Sequence, residues 1–352
     1  MSGASTLRVL GEDEVRDLID TDLALAIARR QLLDHAAGLG ALSSPAAMAL
    51  DARALGGTVF KFKAASIASP GVTGVRLIAR ASAHADATHV CAVFDHADNA
   101  LIGLVSELWL SRLRTAAFAA VMIGHLANRG PAQVALFGSG AIADELMPML
   151  PRVLDIADIR VHARDPQRTA AFAARHEARL GIPVRAEASR ERMFDYANVV
   201  ITVTSSCAPL VLPGDLAPGA LLCSLGNDNE VDFRVVAECD RLIVDDADFA
   251  SEAGDGGAWI AQGHFSRQSF AKRIDALAGE VLAETRPGRL HERERVLLLM
   301  QGMALGDVAF AAHALQEAER RGVGGTVAMP ASGQSPSGGL ARSKEFNSGE
   351  SS

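Results

Sequence analysis

The residues Gly138-Ser139-Gly140-Ala141-Ile142-Ala143 follow directly on the apolar run 134–137 and open a stretch with helical spacing. Strand, glycine turn and helix start in that order suit a dinucleotide. Gly138 permits the tight turn, Gly140 lets backbone amides close on a pyrophosphate, and small Ala143 lets the helix pack on the strand. Ser139, Ala141 and Ile142 lie where the helix start offers free N–H groups and a positive dipole end to phosphates. A bare GxGxxA also arises in ordinary loops of an alanine-rich chain, but here strand and helix flank it correctly. The turn points to a nicotinamide enzyme.

The end of the next strand, 159–163, bears on which nicotinamide dinucleotide binds. An acid there takes the ribose hydroxyls of NAD, whereas arginine favours the 2′-phosphate of NADP. Arg164 follows the strand, with Arg168 one helical turn on, and this favours NADP; Asp165 keeps NAD open. Asp228 lies in the loop 226–232, at the carboxyl end of a further strand, where ligands bind in such sheets. It is the candidate acid/base, with Glu230 as the alternative and a helix-capping Asn/Asp turn as the bland reading. Lys61 and Lys63 flank Phe62 on a predicted strand and so share one face. They could read a carboxylate, or simply protect an edge strand. Arg114 offers a guanidinium fork suited to a planar carboxylate, against the bland reading of a solvated helix arginine.

Positioning these groups is within reach of a chain of 352 residues, 49% hydrophobic, which can bury a large core and predicts two domains. A net charge of -8 argues against nucleic acid or an anionic membrane as partner and leaves a small molecule. Cys91, Cys207, Cys223 and Cys239 form no CxxC or Cys/His cluster and read as buried free thiols. His264, His291 and His313 lack ligand spacing, so no metal is expected. The N-terminus lacks the apolar core of a signal peptide, and a cytoplasmic location is expected. The window 296–315 is nearly apolar but holds Gln301, Gly302, Gly306, Asp307 and His313, and reads as buried core rather than a membrane span. Residues 331–352, rich in Ser and Gly, read as a disordered tail.

Apolar periodicity predicts two helices over 12–38 and an antiparallel sheet from short runs at 58–62, 75–79, 89–94 and 101–105. A helix over 106–127 follows. Strands at 134–137, 159–163, 199–203, 221–225 and 242–244 then alternate with helices, which predicts an α/β fold with a doubly wound parallel sheet. The last helix, about 302–321, could return to the first domain.

Three pieces carry a resemblance over roughly residues 7–330: Leu113-Arg114-Thr115-Ala116-Ala117, the Gly138 turn, and Gly302-Met303-Ala304-Leu305-Gly306-Asp307. Together they resemble the ornithine cyclodeaminase and mu-crystallin superfamily. Ile243-Val244-Asp245-Asp246, Gly263-His264-Phe265-Ser266, Pro287-Gly288-Arg289 and Gln301 through Ala304 look like its branch that makes N-(2-amino-2-carboxyethyl)-glutamate. The resemblance implies a Rossmann domain at 117–306 and a split α+β substrate and dimerisation domain at 1–116, completed by 307–330, in a homodimer. It implies hydride transfer between NAD(P) and the α-carbon of an amino acid, through an imine, with 2-oxo acids among the substrates.

By the same resemblance Arg114 holds the substrate carboxylate and Thr115 faces the nicotinamide. Thr204 and Ser205, Leu225 and Gly226, and Gly302 and Met303 line the cofactor. The family places a lysine on a strand before the Arg114 helix. One alignment puts Arg76, in Gly74-Val75-Arg76, at that position, which weighs against ornithine-type cyclisation because arginine cannot shuttle a proton near neutral pH. A competing alignment makes Lys63 that lysine. Rival readings are an ornithine or lysine cyclodeaminase and a non-catalytic, mu-crystallin-like NADP-dependent binding protein.

Overall fold

The computed structural model describes residues 5–80, 88–226 and 228–329; the expected tail at 331–352 lies outside them. The first sheet is built from β1 (Ser5–Leu10), β2 (Gly40–Leu42), β3 (Met48–Asp51), β4 (Val59–Ile67), β5 (Val72–Arg80), β6 (Thr88–Asp95) and β7 (Leu101–Ser106). Strands β4 to β7 form an antiparallel meander. The second sheet holds β8 (Ala132–Phe137), β9 (Ile156–His162), β10 (Val184–Ala186), β11 (Val199–Thr202), β12 (Leu221–Ser224), β13 (Arg241–Val244), β14 (Ala276–Leu277) and β15 (Val296–Leu299). Its pairings are all parallel, in the order β10-β9-β8-β11-β12-β15-β13-β14. The doubly wound sheet is therefore present. Its central strands β11, β12 and β15 are buried at every position, as a sheet covered on both faces requires.

The helix Leu108–Leu126 is apolar nearly all round and buried accordingly. The C-terminal helix Ala304–Arg321 returns to the antiparallel sheet and lies across β4 and β5. Two glycines let it come close. A Cβ on Gly74 would stand 2.6 Å from Val308, and one on Gly103 would stand 2.3 Å from Leu315. After that helix, β16 (Gly325–Met329) pairs with β1.

Several elements differ from the sequence reading. The window 296–315 divides into strand β15 and the start of the C-terminal helix, and among the described residues no helix is long and apolar enough to cross a membrane. Strands β1 and β16 carry no local signal because they pair with each other from opposite ends of the described chain, β1 pairing also with β7. Cys91, Cys223 and Cys239 are buried free thiols, but Cys207 is exposed on the loop after β11.

Candidate active site

The glycine turn sits where the order of strands reverses, between β8 and β11, which is where open parallel sheets bind ligands. Gly138 has φ +117°, and a Cβ on it would stand 2.4 Å from the carbonyl oxygen of Val203. Only glycine brings the two strand ends this close. Gly140 is different: its φ of -92° suits any residue, and a Cβ would meet nothing within 4 Å. The space beside it is open, with Ser139 and Ile142 half-buried, Ala141 exposed and Ala143 packed inside.

Beyond β9, Arg164 and Arg168 are exposed. Asp165 Oδ1 accepts from Gln167 N and Arg168 N, both at 3.0 Å, as the cap of helix Pro166–Leu180. That carboxylate serves the helix. On the other side of the turn, Thr204 donates to Glu230 Oε1 through both its backbone N and its hydroxyl, and Leu225 N donates to Thr202 O at 2.8 Å. Glu230 is fully buried and folds over Gly226, where a Cβ would overlap its carboxylate. Burial raises its pKa against those hydrogen bonds. Asp255 Oδ1 in turn accepts from Glu230 N and Val231 N, and its Oδ2 from Ser224 Oγ at 2.5 Å. Glu230 thus fastens the loops after β11 and β12 together. Asp228 is exposed on the second loop, 4.0 Å from Cys207 Sγ, and Ser205 is exposed on the first.

The cations gather under the C-terminal helix. The β4–β5 register sets Lys63 opposite Arg76, so the two competing alignments fall on neighbours of one face. Each guanidinium nitrogen of Arg76 has a neighbour: Nε pairs with Glu107, Nη1 with Asp307 Oδ2 at 3.3 Å, and Nη2 contacts His89 Nδ1 at 3.2 Å. Its expected contact with a substrate carboxylate has no free nitrogen behind it. Arg114 is buried rather than solvated and uses only Nε, which donates to Asp307 Oδ1 at 2.7 Å. Its Nη1 and Nη2 make no hydrogen bond among the described residues. Burial would raise Asp307, but Arg114, Arg76 and Lys63 outweigh it and hold the carboxyl below its ordinary range. Burial lifts Glu107 above its ordinary range despite Arg76.

Gly302 joins these parts. With φ +84°, it lies so close to Arg114 that a Cβ would stand 1.8 Å from Nη1. Its N–H donates to Asp245 Oδ2 at 2.6 Å, and its carbonyl accepts from Lys63 Nζ at 3.2 Å. Lys63 Nζ also stands 4.0 Å from the ring centroid of Phe249. Burial pushes this ammonium down to about 7, with Arg114 and Arg76 acting the same way against Asp307 and Asp245. A crevice with about 160 Å³ of empty space opens beside it, Met303 and Ala304 on one wall.

Lys63, Arg76, Arg114, Gly302 and Met303 are therefore brought into one network, while Lys61 stays exposed farther out on the strand. Thr115 Oγ1 donates to Ser111 O at 2.7 Å within its own helix. Sequence reasoning gave no role to Asp307, Glu107, Asp245 or Phe249. An acid inside an otherwise apolar helix start was the available signal for Asp307.

A doubly wound parallel sheet with a glycine turn at its switch point, set against an antiparallel sheet that carries buried cations, defines a Rossmann-type α/β protein. The chain belongs to the ornithine cyclodeaminase/mu-crystallin family, whose sequence profile matches residues 59–321. The resemblance read from its motifs holds. N-((2S)-2-amino-2-carboxyethyl)-L-glutamate dehydrogenase of Staphylococcus aureus is 27% identical over 244 residues, 68% of this chain and 71% of that protein. Delta(1)-pyrroline-2-carboxylate reductase of Bacillus cereus is 25% identical over 228 residues, 63% of this chain and 69% of that one. The structure of the Thermococcus litoralis reductase of the same name, in complex with NADH and L-proline, matches with a TM-score of 0.82 at 19% identity, over 91% of this chain and 100% of that one. That last likeness is one of fold.

Proposed function

We propose that the chain is a nicotinamide-dependent oxidoreductase acting at the Cα–N bond of an amino acid or N-substituted amino acid, through an imine. One observation carries this reading: Arg114 keeps Nη1 and Nη2 unengaged among the described residues, against Gly302, whose carbonyl holds the Lys63 ammonium that lines a crevice. A planar carboxylate fits that guanidinium edge in a bidentate contact. Lys63, with its pKa near 7, is suited to move a proton to or from the substrate nitrogen. Arg76 and Glu107 act as positioning residues: Glu107 pairs with Arg76, which holds Asp307 and through it Arg114. Asp228, on the exposed loop, is the second candidate for proton handling.

The switch point fits a dinucleotide, because Gly140 leaves open space that no packing inside the protein requires. Gly138, Ser139, Gly140, Ala141 and Ile142 would hold the pyrophosphate, and Thr204, Ser205, Leu225 and Gly226 the neighbouring ribose. When bound, the reduced cofactor supplies a hydride to the α-carbon of the imine, and the reverse reaction returns it. Arg164 is free to meet a 2′-phosphate while Asp165 is committed to its cap, so the cofactor is proposed to be NADP. The antiparallel sheet and C-terminal helix form the substrate half of a homodimer. The relatives' names, a pyrroline-carboxylate reductase and an amino-carboxyethyl-glutamate dehydrogenase, support imine chemistry on an amino acid.

The test is a panel of amines with 2-oxo acids, and of amino acids, using both NADPH and NADH. Arg114→Ala is expected to lose turnover, and Arg164→Asp to lose preference for NADPH. Absence of dinucleotide turnover with every substrate would defeat the reading. A lysine in the crevice also suits a cyclodeaminase, which would instead release ammonia from a diamino acid with no net change in cofactor absorbance.

A further inference from the structure

The crevice beside Lys63 is small and, apart from that ammonium, lined by apolar side chains, Phe249 and Met303 the largest of them. It encloses no room for even one water, so any side chain placed there packs directly against these walls. Phe249 is only 7% exposed, and its ring lies over the Lys63 ammonium, an arrangement a cation favours. The turn that carries it is fastened on both sides. Asp246 Oδ1 accepts from Phe249 N at 2.8 Å, while its Oδ2 lies 3.4 Å from His35 Nε2 on helix Thr21–Ala36. Asp245 accepts from Gly302 N through Oδ2 and from Asp246 N through Oδ1. Asp245 and Asp246 are committed to the protein, Asp248 is exposed on the same turn, and no acid lines the crevice among the described residues.

We propose that Phe249 is a specificity-determining residue, closing the crevice to all but 2-imino and 2-amino acids with a short, uncharged side chain. A longer chain would meet the ring. A distal ammonium would be buried beside Lys63 with no carboxylate to pair with, an arrangement that is strongly disfavoured. The inference rests on the oxidoreductase reading and narrows its substrates.

Turnover of alanine, norvaline, norleucine and ornithine with NADP is to be compared in wild type, Phe249→Leu and Phe249→Ala. Binding of the unreactive carboxylates propionate, valerate and caproate to each protein with NADP present is measured by calorimetry. Relative to the short ligands, norleucine turnover and caproate affinity are expected to rise at least about tenfold in Phe249→Ala, about 1.4 kcal/mol, with Phe249→Leu between. Ornithine is expected to stay excluded throughout, since no acid is introduced. Unchanged length ratios, or ornithine turnover by the wild type, would overturn the inference. If the wild type turns over nothing, the oxidoreductase reading fails, and the carboxylate isotherms still decide the role of Phe249. Should Phe249→Ala not fold, Phe249→Leu carries the comparison.

Discussion

Lys63 and Arg76 are neighbours of one face with different fates, and the difference lies in what surrounds each charge. Each nitrogen of Arg76 faces a neighbour, Glu107, Asp307 or His89, which suits it to hold other groups in place. Lys63 meets a carbonyl and an aromatic ring instead, neither of which neutralises it, and burial pushes its pKa down to about 7. A protonated lysine can donate to the nitrogen of an imine; as pH rises through about 7 that proton is lost. For imine reduction, kcat/KM is therefore expected to fall across the interval from about pH 6 to 8, since that ratio reports groups of the free enzyme. In Lys63→Met the inflexion should vanish and the remaining rate should lie roughly 10²- to 10⁴-fold lower, the usual worth of a general acid. A methionine variant that keeps the same inflexion would assign the titration to another group.

At the scale of elements, much was legible because local pattern carried it. The β4 to β7 meander, the long buried helix and the alternation that builds the parallel sheet follow from apolar periodicity and turn residues. The cation network was not legible, because it depends on a cross-strand register and on a glycine with positive φ near the far end of the chain. Lys63 meets Gly302 across 239 residues, and no spacing in sequence encodes that contact. Gly138 and Gly140 look alike in sequence, yet only the first is required by packing. Gly140→Asn therefore makes a sharp test of the dinucleotide turn. Asparagine is a good N-cap and its side chain enters open space, so folding stability should change by less than about 0.5 kcal/mol. A phosphate approaching the same space would be blocked, and the dissociation constant for NADP is expected to rise about tenfold or more. Unaltered NADP affinity in a folded Gly140→Asn protein would move the pyrophosphate elsewhere.

At the scale of the whole molecule, no described residue outside the antiparallel sheet is seen to cover one of its faces, and the C-terminal helix packs on the other. The C-terminal helix covers the side that carries Lys63, Arg76, Cys91 and Val105, one cross-strand row. Alternation sends the next residues of each strand the other way, where Phe62, Leu77 and Val90 form one row and Ala64, Val75, Ala92 and Leu104 another. These residues are only partly buried, and Val75 is 38% exposed. A continuous apolar face of this kind is unusual on a monomer, and the homodimer proposed above would bury it. Two copies placed face to face about a twofold axis would each cover the other's rows, which is the simplest closed assembly. The same strands carry the cation network on their far side, so the interface would also stiffen the floor of the active site. Light scattering is expected to give about twice the 36.8 kDa chain mass. Leu77→Asp with Val90→Asp should weaken the dimer by a hundredfold or more, about 3 kcal/mol, by burying unpaired charge at the interface. A wild-type protein that runs as a monomer at micromolar concentration would refute the assignment of this face.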